Sequence, residues 1–209
     1  MRFFQKAIIF TFCLCVINFP AKLYAQNSLM EPSTEKSFPA EVKLTYNAKE
    51  YTLHCTGLAV RKKFFFKVYG MAHYIEGMNT IKNEKEAYPI ILTDGTAKQI
   101  MMSFARDVDA KSMRDAYKDG FKENTKEADR KELQPLIDQF LGYFTKDVKE
   151  NDQFIFRWMP DGTIVVIINE EEKPAISSKL FARTLWSIWF GEDSVVDRED
   201  LVERMIEKH

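Results

Sequence analysis

The order of elements legible in the sequence predicts an α+β domain. β-Rich apolar runs come first, two helical patterns follow, and a further hairpin separates these from a last helix, an order that argues against alternating α/β units. The composition agrees with one substantial core: 45% of the 209 residues are hydrophobic and 17 are Phe.

The first 25 residues read as a cleavable signal peptide. Arg2 and Lys6 form a positive start, residues 7–19 an apolar stretch, and Ala25 a small residue at the cut before Gln26. The apolar span is too short for a permanent membrane anchor. No Cys follows it in a setting that would take a lipid. The expectation is therefore an exported protein, periplasmic or secreted. Residues 26–39 are polar, with Pro32 and Pro39 and little periodicity, and read as a flexible leader to a domain over 40–209.

Residues 41–46 alternate, and 51–55 follow after a short polar break, which suggests a hairpin. The stretch 58–75 is the richest in the chain. Phe64-Phe65-Phe66-Lys67-Val68-Tyr69 is apolar on both alternations, as expected of a central strand covered on both faces. Residues 88–92 and 97–104 are two further strand candidates around the turn signal Thr93-Asp94-Gly95.

Asp109 is placed to cap a helix through Met113, Ala116, Tyr117 and Phe121. A second helix carries Leu133, Leu136, Ile137, Phe140, Leu141 and Phe144, and its Pro135 suits the first turn. Residues 153–158 and 163–168 around Pro160-Asp161-Gly162 form the clearest hairpin. Residues 178–190 return to helical spacing and end at Gly191 in the usual glycine stop position. Residues 200–207 suggest a short terminal helix.

The charge excludes some functions. The 30 Lys and Arg set against 31 Asp and Glu lose only Arg2, Lys6 and Lys22 with the leader, which leaves a net charge of about −4 and no basic excess for nucleic acid. His54, His73 and His209 are scattered, so no metal set is expected. No nucleophile elbow, phosphate loop or dinucleotide glycine pattern is present, and no cofactor is expected. Cys13 and Cys15 fall in the leader. Cys55 is then alone, without an internal disulfide, and is expected to be buried rather than reactive. The acidic runs Glu170-Glu171-Glu172 and Glu192-Asp193 read as solvated loops, and Lys62, Lys63 and Lys67 as surface charge.

Arg61 and Tyr69 stand apart. Their even spacing puts them on one face of an unbroken strand, whereas Tyr74 joins that face only through a bulge or turn. A guanidinium within an aromatic strand needs an anionic or polar partner. That partner is either a ligand or an internal carboxylate.

Gly57-Leu58-Ala59-Val60-Arg61 with Lys67-Val68-Tyr69-Gly70-Met71-Ala72-His73-Tyr74-Ile75 resembles the core signature of the chalcone isomerase-like superfamily, particularly its bacterial exported branch. The likeness continues through residues 100–121 and 180–191. It implies a large antiparallel sheet packed on one face by a layer of helices, an open-faced β-sandwich with a ligand cleft between the layers. Some members of the superfamily close a chalcone into a flavanone; others only bind fatty acids, holding the carboxylate with the strand Arg and a nearby Tyr.

Arg61 matches the ligand-facing Arg, and Tyr69 falls where the fatty-acid binders carry Tyr. A guanidinium beside a phenol grips a carboxylate well. Met113 and Gly120 stand where the enzymes carry a Tyr and an Asn, and Arg106 falls near their Lys. Ile188 and Trp189 replace a Thr-Met pair. These departures remove the groups that support the enone oxygen and make true chalcone isomerase activity an unexpected outcome.

The leading expectation is a non-catalytic protein binding a small amphiphile or fatty acid through Arg61, Tyr69, Tyr74, Arg106 and Met113, with no nucleic-acid partner and no stable membrane anchor. The alternatives are a cofactor-free isomerase or lyase on an enone, with Tyr69 or Tyr74 as acid, and an envelope protein that binds a protein partner.

Overall fold

The computed structural model describes residues 27–207; the proposed signal peptide lies outside the described residues. Ten strands and four α-helices follow one another as β1 (Ser28–Glu31), β2 (Lys36–Pro39), β3 (Glu41–Tyr46), β4 (Lys49–Lys63), β5 (Phe66–Glu76), α1 (Glu84–Ile91), β6 (Lys98–Phe104), α2 (Ala110–Asn124), α3 (Arg130–Leu141), β7 (Gln153–Trp158), β8 (Thr163–Ile168), β9 (Glu171–Glu172), β10 (Ile176–Ser177) and α4 (Lys179–Phe190). β3 to β10 form one antiparallel eight-stranded sheet in the order β10-β8-β7-β6-β5-β4-β3, with β9 also on β8. The α+β expectation with helices layered on a large antiparallel sheet holds.

Alternation sorts the strand residues onto two faces. Met71 of β5, Ile100, Met102 and Phe104 of β6, and Phe154, Phe156 and Trp158 of β7 pack with Phe121, Phe140, Phe181, Leu185 and Trp189 of the helices. On the other face Leu53, Cys55, Ala72 and Tyr74 share a smaller core with Leu44 of β3 and Val165 of β8. Strands from opposite ends of the sheet meet in that core, so the sheet is curled. The Tyr46 hydroxyl, donating to Asp161 Oδ2 at 2.9 Å, ties the two ends together.

A bulge in β4 decides which of its residues see the helices. The register slips between Cys55 and Gly57, so Leu53 and Cys55 face the small core while Ala59 faces the helix layer. The interposed Thr56 is buried and occupied: its hydroxyl donates to Leu201 O at 2.6 Å and lies 2.8 Å from His73 Nδ1. Trp186 Nε1 donates to His73 Nε2 at 3.3 Å, which leaves the ring proton on Nδ1, facing Thr56. One relay thus binds α4, the central strands and the C-terminal segment.

Several expectations are overturned. The flexible leader over 26–39 is largely the hairpin β1–β2, with Phe38 buried in the small core. Its turn is held by the Glu31 carboxylate, which accepts from Ser33 N at 2.9 Å and Thr34 N at 2.7 Å. Burial alone would raise the Glu31 pKa, but the bonds from Thr34 and Ser33 outweigh it and lower the value.

The run 58–75 is two strands rather than one. β4 and β5 turn over at Phe64-Phe65, with Lys63 opposite Phe66. Residues 88–92 form the end of a helix and not a strand: Ala87 and Ile91, four apart, are its buried positions, and Asn83 Oδ1 caps it by accepting from Lys85 N at 3.1 Å. Pro135 sits inside α3, not in its first turn. It is tolerated because Pro135 and Lys131, whose carbonyl loses its partner, are both exposed. The terminal helix shrinks to a single 3-10 turn, Glu203–Met205.

Asp109 caps α2 as expected, accepting from Ser112 N at 2.8 Å. The hairpin over 153–168 is present as β7–β8. α4 ends at Gly191, whose φ of −71° is not left-handed. The glycine is needed there for space, since a Cβ would lie 2.5 Å from Asn124 Oδ1 and Ser187 O.

Candidate functional site

A cavity of about 420 Å³ opens between the sheet and the helix layer, where the β4–β5 hairpin meets α2 and the end of α4. Its size falls in the range of about 300–1,000 Å³ usual for small-molecule sites. Arg61 and Tyr69 lie at one part of its wall, Met113, Tyr117 and Gly120 of α2 at another, and Ile188 and Trp189 of α4 close it.

Arg61 and Tyr69 are directly opposed partners on β4 and β5. They share a face because they are cross-strand neighbours, which puts their Cβ atoms about 4.5–5.5 Å apart. Arg61 is half-buried and donates from Nη1 to Val195 O at 2.7 Å. The carbonyl is presented by a loop folded back on α4: Val195 N donates to Ile188 O at 3.0 Å, and Ser194 Oγ donates to Trp189 O at 2.7 Å. Among the described residues no carboxylate forms an ion pair with Arg61. The internal salt bridge is absent, and the guanidinium keeps N–H groups beyond the one given to Val195.

Tyr69 is buried, and its hydroxyl accepts from Trp189 Nε1 at 3.0 Å. Burial pushes its pKa up, against smaller opposing effects of the Trp189 bond and the Arg61 charge, so it is a protonated phenol at neutral pH. Tyr117 is buried beside it, and its pKa is raised well above the ordinary value by burial and by the neighbouring Tyr69. Its ring packs on Phe140, Phe144 and Trp189.

Met113 is buried on α2 and lines the cavity. Gly120, two turns on, lies against α4: a Cβ there would stand 3.1 Å from Ile188 Cδ1. The glycine lets the two helices close, and Ile188 fills the space an Asn side chain would take. Arg106 is exposed at the rim, its guanidinium 4.6 Å from the ring centre of Phe66.

Tyr74 is not part of the site. It pairs with Cys55 across the strands and is buried in the small core on the opposite face, its hydroxyl without a hydrogen-bond partner among the described residues. The β4 bulge does not rescue it, because Tyr74 lies five positions from Tyr69 on the same strand and alternation sends them apart. The sequence does not point to Tyr117, Val68, the Val195 carbonyl or Asp193 as cavity lining, and Asp193 stands in a run that reads as a solvated loop. Tyr117 carried a signal: it lies four residues from Met113 and so on the same helix face. Among the described residues no three His, Cys, Asp or Glu side chains converge as metal ligands.

A curled antiparallel sheet enclosing a cavity beneath its helix layer, with a strand Arg and Tyr in the wall, defines a chalcone isomerase-like protein. The chain belongs to that family: the model described as chalcone isomerase-like matches residues 36–206. Among solved structures it is similar to a fatty-acid binding protein of Arabidopsis thaliana, at 17% identity with a TM-score of 0.69, over 86% of this chain and 97% of that one. At that identity the likeness concerns the fold. No curated protein sequence matches.

Proposed function

We propose that this protein binds a small amphiphile with an acidic head, a fatty acid being the best fit, and that it does so without transforming it. The carrying observation is the state of Arg61, a half-buried guanidinium on a cavity wall whose only hydrogen bond among the described residues goes to the Val195 carbonyl. A bound carboxylate would give that charge its counterion. Tyr69 supports the same reading: its oxygen accepts from Trp189, so its proton is left to donate to the ligand.

The apolar tail would run along Val68, Met113, Tyr117 and Ile188, all in the cavity wall. Protonated phenols and an always-charged guanidinium suit holding an anion. The similar plant structure carries a fatty-acid binding title, which agrees with this use of the fold. The N-terminal signal-like segment suggests that binding takes place outside the cytoplasm, after cleavage near Ala25.

The test is calorimetric titration of the purified, delipidated protein with dodecanoate, beside mass spectrometry of what the untreated protein carries. Saturable binding weakened at least about tenfold in Arg61→Ala, with the fold retained, is the expected result for loss of a charge-assisted bond. Absence of binding to dodecanoate and longer acids, together with no co-purified acid, would overturn the reading.

A further inference from the structure

The tip of the β4–β5 hairpin is built against the usual rules. A two-residue turn of this kind favours Gly or Asn, which take positive φ without steric cost. Here the two central residues are Phe64 and Phe65, and Phe64 is held at φ +55°. The strain does not serve burial: Phe64, Phe65 and Phe66 are 85%, 98% and 59% exposed. They include the three most exposed rings among the large hydrophobic side chains described.

The charged residues on the hairpin tip itself are all basic. Lys62, Lys63 and Lys67 flank the three rings and are exposed, and Arg106 stacks on Phe66. Of the carboxylates nearby, Asp107 is taken up by Lys149 Nζ at 3.0 Å and Glu150 N at 2.9 Å, and Asp109 by its cap. Asp119 and Glu123 of α2 and Asp193 of the loop after α4 line the cavity beside Phe64 and Phe66 but are not part of the hairpin.

We infer that this hairpin tip docks the protein on a lipid bilayer bearing anionic headgroups. The rings enter the interfacial region, where aromatic side chains are favoured, and Lys62 and Lys63 meet the phosphates, the Lys67 ammonium being given to Ser33 O. Charge complementarity selects an anionic surface. A protein partner fits less well, because one narrow turn presents far less than the roughly 800 Å² per partner of a stable protein interface. Phe64 and Phe66 also line the cavity, so docking sets the cavity mouth against the bilayer. That last step rests on the amphiphile-binding reading, whereas the docking itself rests on the hairpin alone.

The experiment is co-sedimentation of the purified protein with vesicles of phosphatidylcholine, with and without phosphatidylglycerol, for the wild type, Phe65→Ser and Lys62→Glu. Neither of these two positions lines the cavity. Binding to the phosphatidylglycerol vesicles is expected, weakened at least about tenfold in Phe65→Ser and reduced by Lys62→Glu and by high salt. Wild-type protein left in the supernatant would overturn the inference, as would equal binding of Phe65→Ser. Self-association lost in Phe65→Ser, without vesicle binding, would overturn it in favour of a second copy of the chain. Arg61→Ala should still dock, and Phe65→Ser should still bind dodecanoate in solution, so failure of one reading is told from failure of the other.

Discussion

Trp189 Nε1 donates to the Tyr69 hydroxyl at 3.0 Å, across the layers from helix to strand. An indole has one donor and no acceptor, and a phenol has both. The bond therefore sets the direction of the Tyr69 proton as well as its place. Both residues are buried, so neither can turn to water instead.

Tyr69→Phe should accordingly have two effects. It orphans the Trp189 N–H, at a cost of about 1–3 kcal/mol in unfolding free energy, and it weakens dodecanoate binding by removing a donor. Trp189→Phe should share the loss in affinity through misdirection of the hydroxyl. Denaturant melts and calorimetry on the two variants check this; affinity unchanged in both would remove Tyr69 from the site.

At position 120, size and helix propensity pull apart. Alanine in place of Gly120 gains about 1 kcal/mol of helix propensity, while its Cβ presses on Ile188 at 3.1 Å. Gly120→Ala should be near neutral. Gly120→Asn has no space to enter and should cost about 1–3 kcal/mol, with part regained in the double variant Gly120→Asn/Ile188→Ala. Additive melts for the double variant would disprove the contact.

Lys98 is buried with its ammonium 4.1 Å from the Trp158 ring centre and donating to Thr93 O at 2.7 Å. Burial, only partly offset by Asp94, lowers its pKa from 10.5 to about 8. The folded state thus holds fewer protons than the unfolded chain between pH 8 and 10.5, and stability rises with pH across that window. Lys98→Met removes the titration. Its stability relative to wild type should fall by on the order of 2–3 kcal/mol as pH climbs through the window. Parallel pH profiles for the two proteins would contradict this.

His73 works at the acid end. Burial, aided by the Lys98 charge, holds its pKa well below 6.5, so the folded protein keeps it neutral while the unfolded chain takes up a proton. The His73 contribution to stability should be level above pH 6.5 and fall below it, by up to about 1.4 kcal/mol per pH unit for one proton. In His73→Gln the slope between pH 6.5 and 5.5 should flatten. An unchanged slope in urea melts would assign it to other groups.

The parts of this architecture that were legible from sequence had local chemistry of their own. Asp109 announces its helix as a cap, and Pro160-Asp161-Gly162 announces its hairpin as a turn. The β4–β5 hairpin carries no such sign, since Phe64-Phe65 reads as strand and only exposure and a positive φ betray the turn. The Arg61–Tyr69 association survives that misreading, because cross-strand pairing puts the two on one face just as even spacing would. Tyr74 does not survive it, as its register partner is Cys55.

The short run 88–92 was ambiguous for another reason. Five apolar residues do not separate strand from helix by period, and the decision came from the Asn83 cap and from burial of Ala87 and Ile91 against the core. The β1–β2 hairpin was hidden because its order depends on Glu31, whose hydrogen bonds to its own turn no composition argument reveals.

Cys55 supplies a clock. Its thiol is buried on β4 beneath the curled sheet, and burial raises its pKa to about 11, so at neutral pH the folded protein offers almost no thiolate to an alkylating reagent. Among the described residues it is the sole cysteine. Labelling must wait for β4 to part from the small core, and its rate reports how often that happens. The same measurement with dodecanoate present would tell whether a guest under the helices steadies the far side of the sheet.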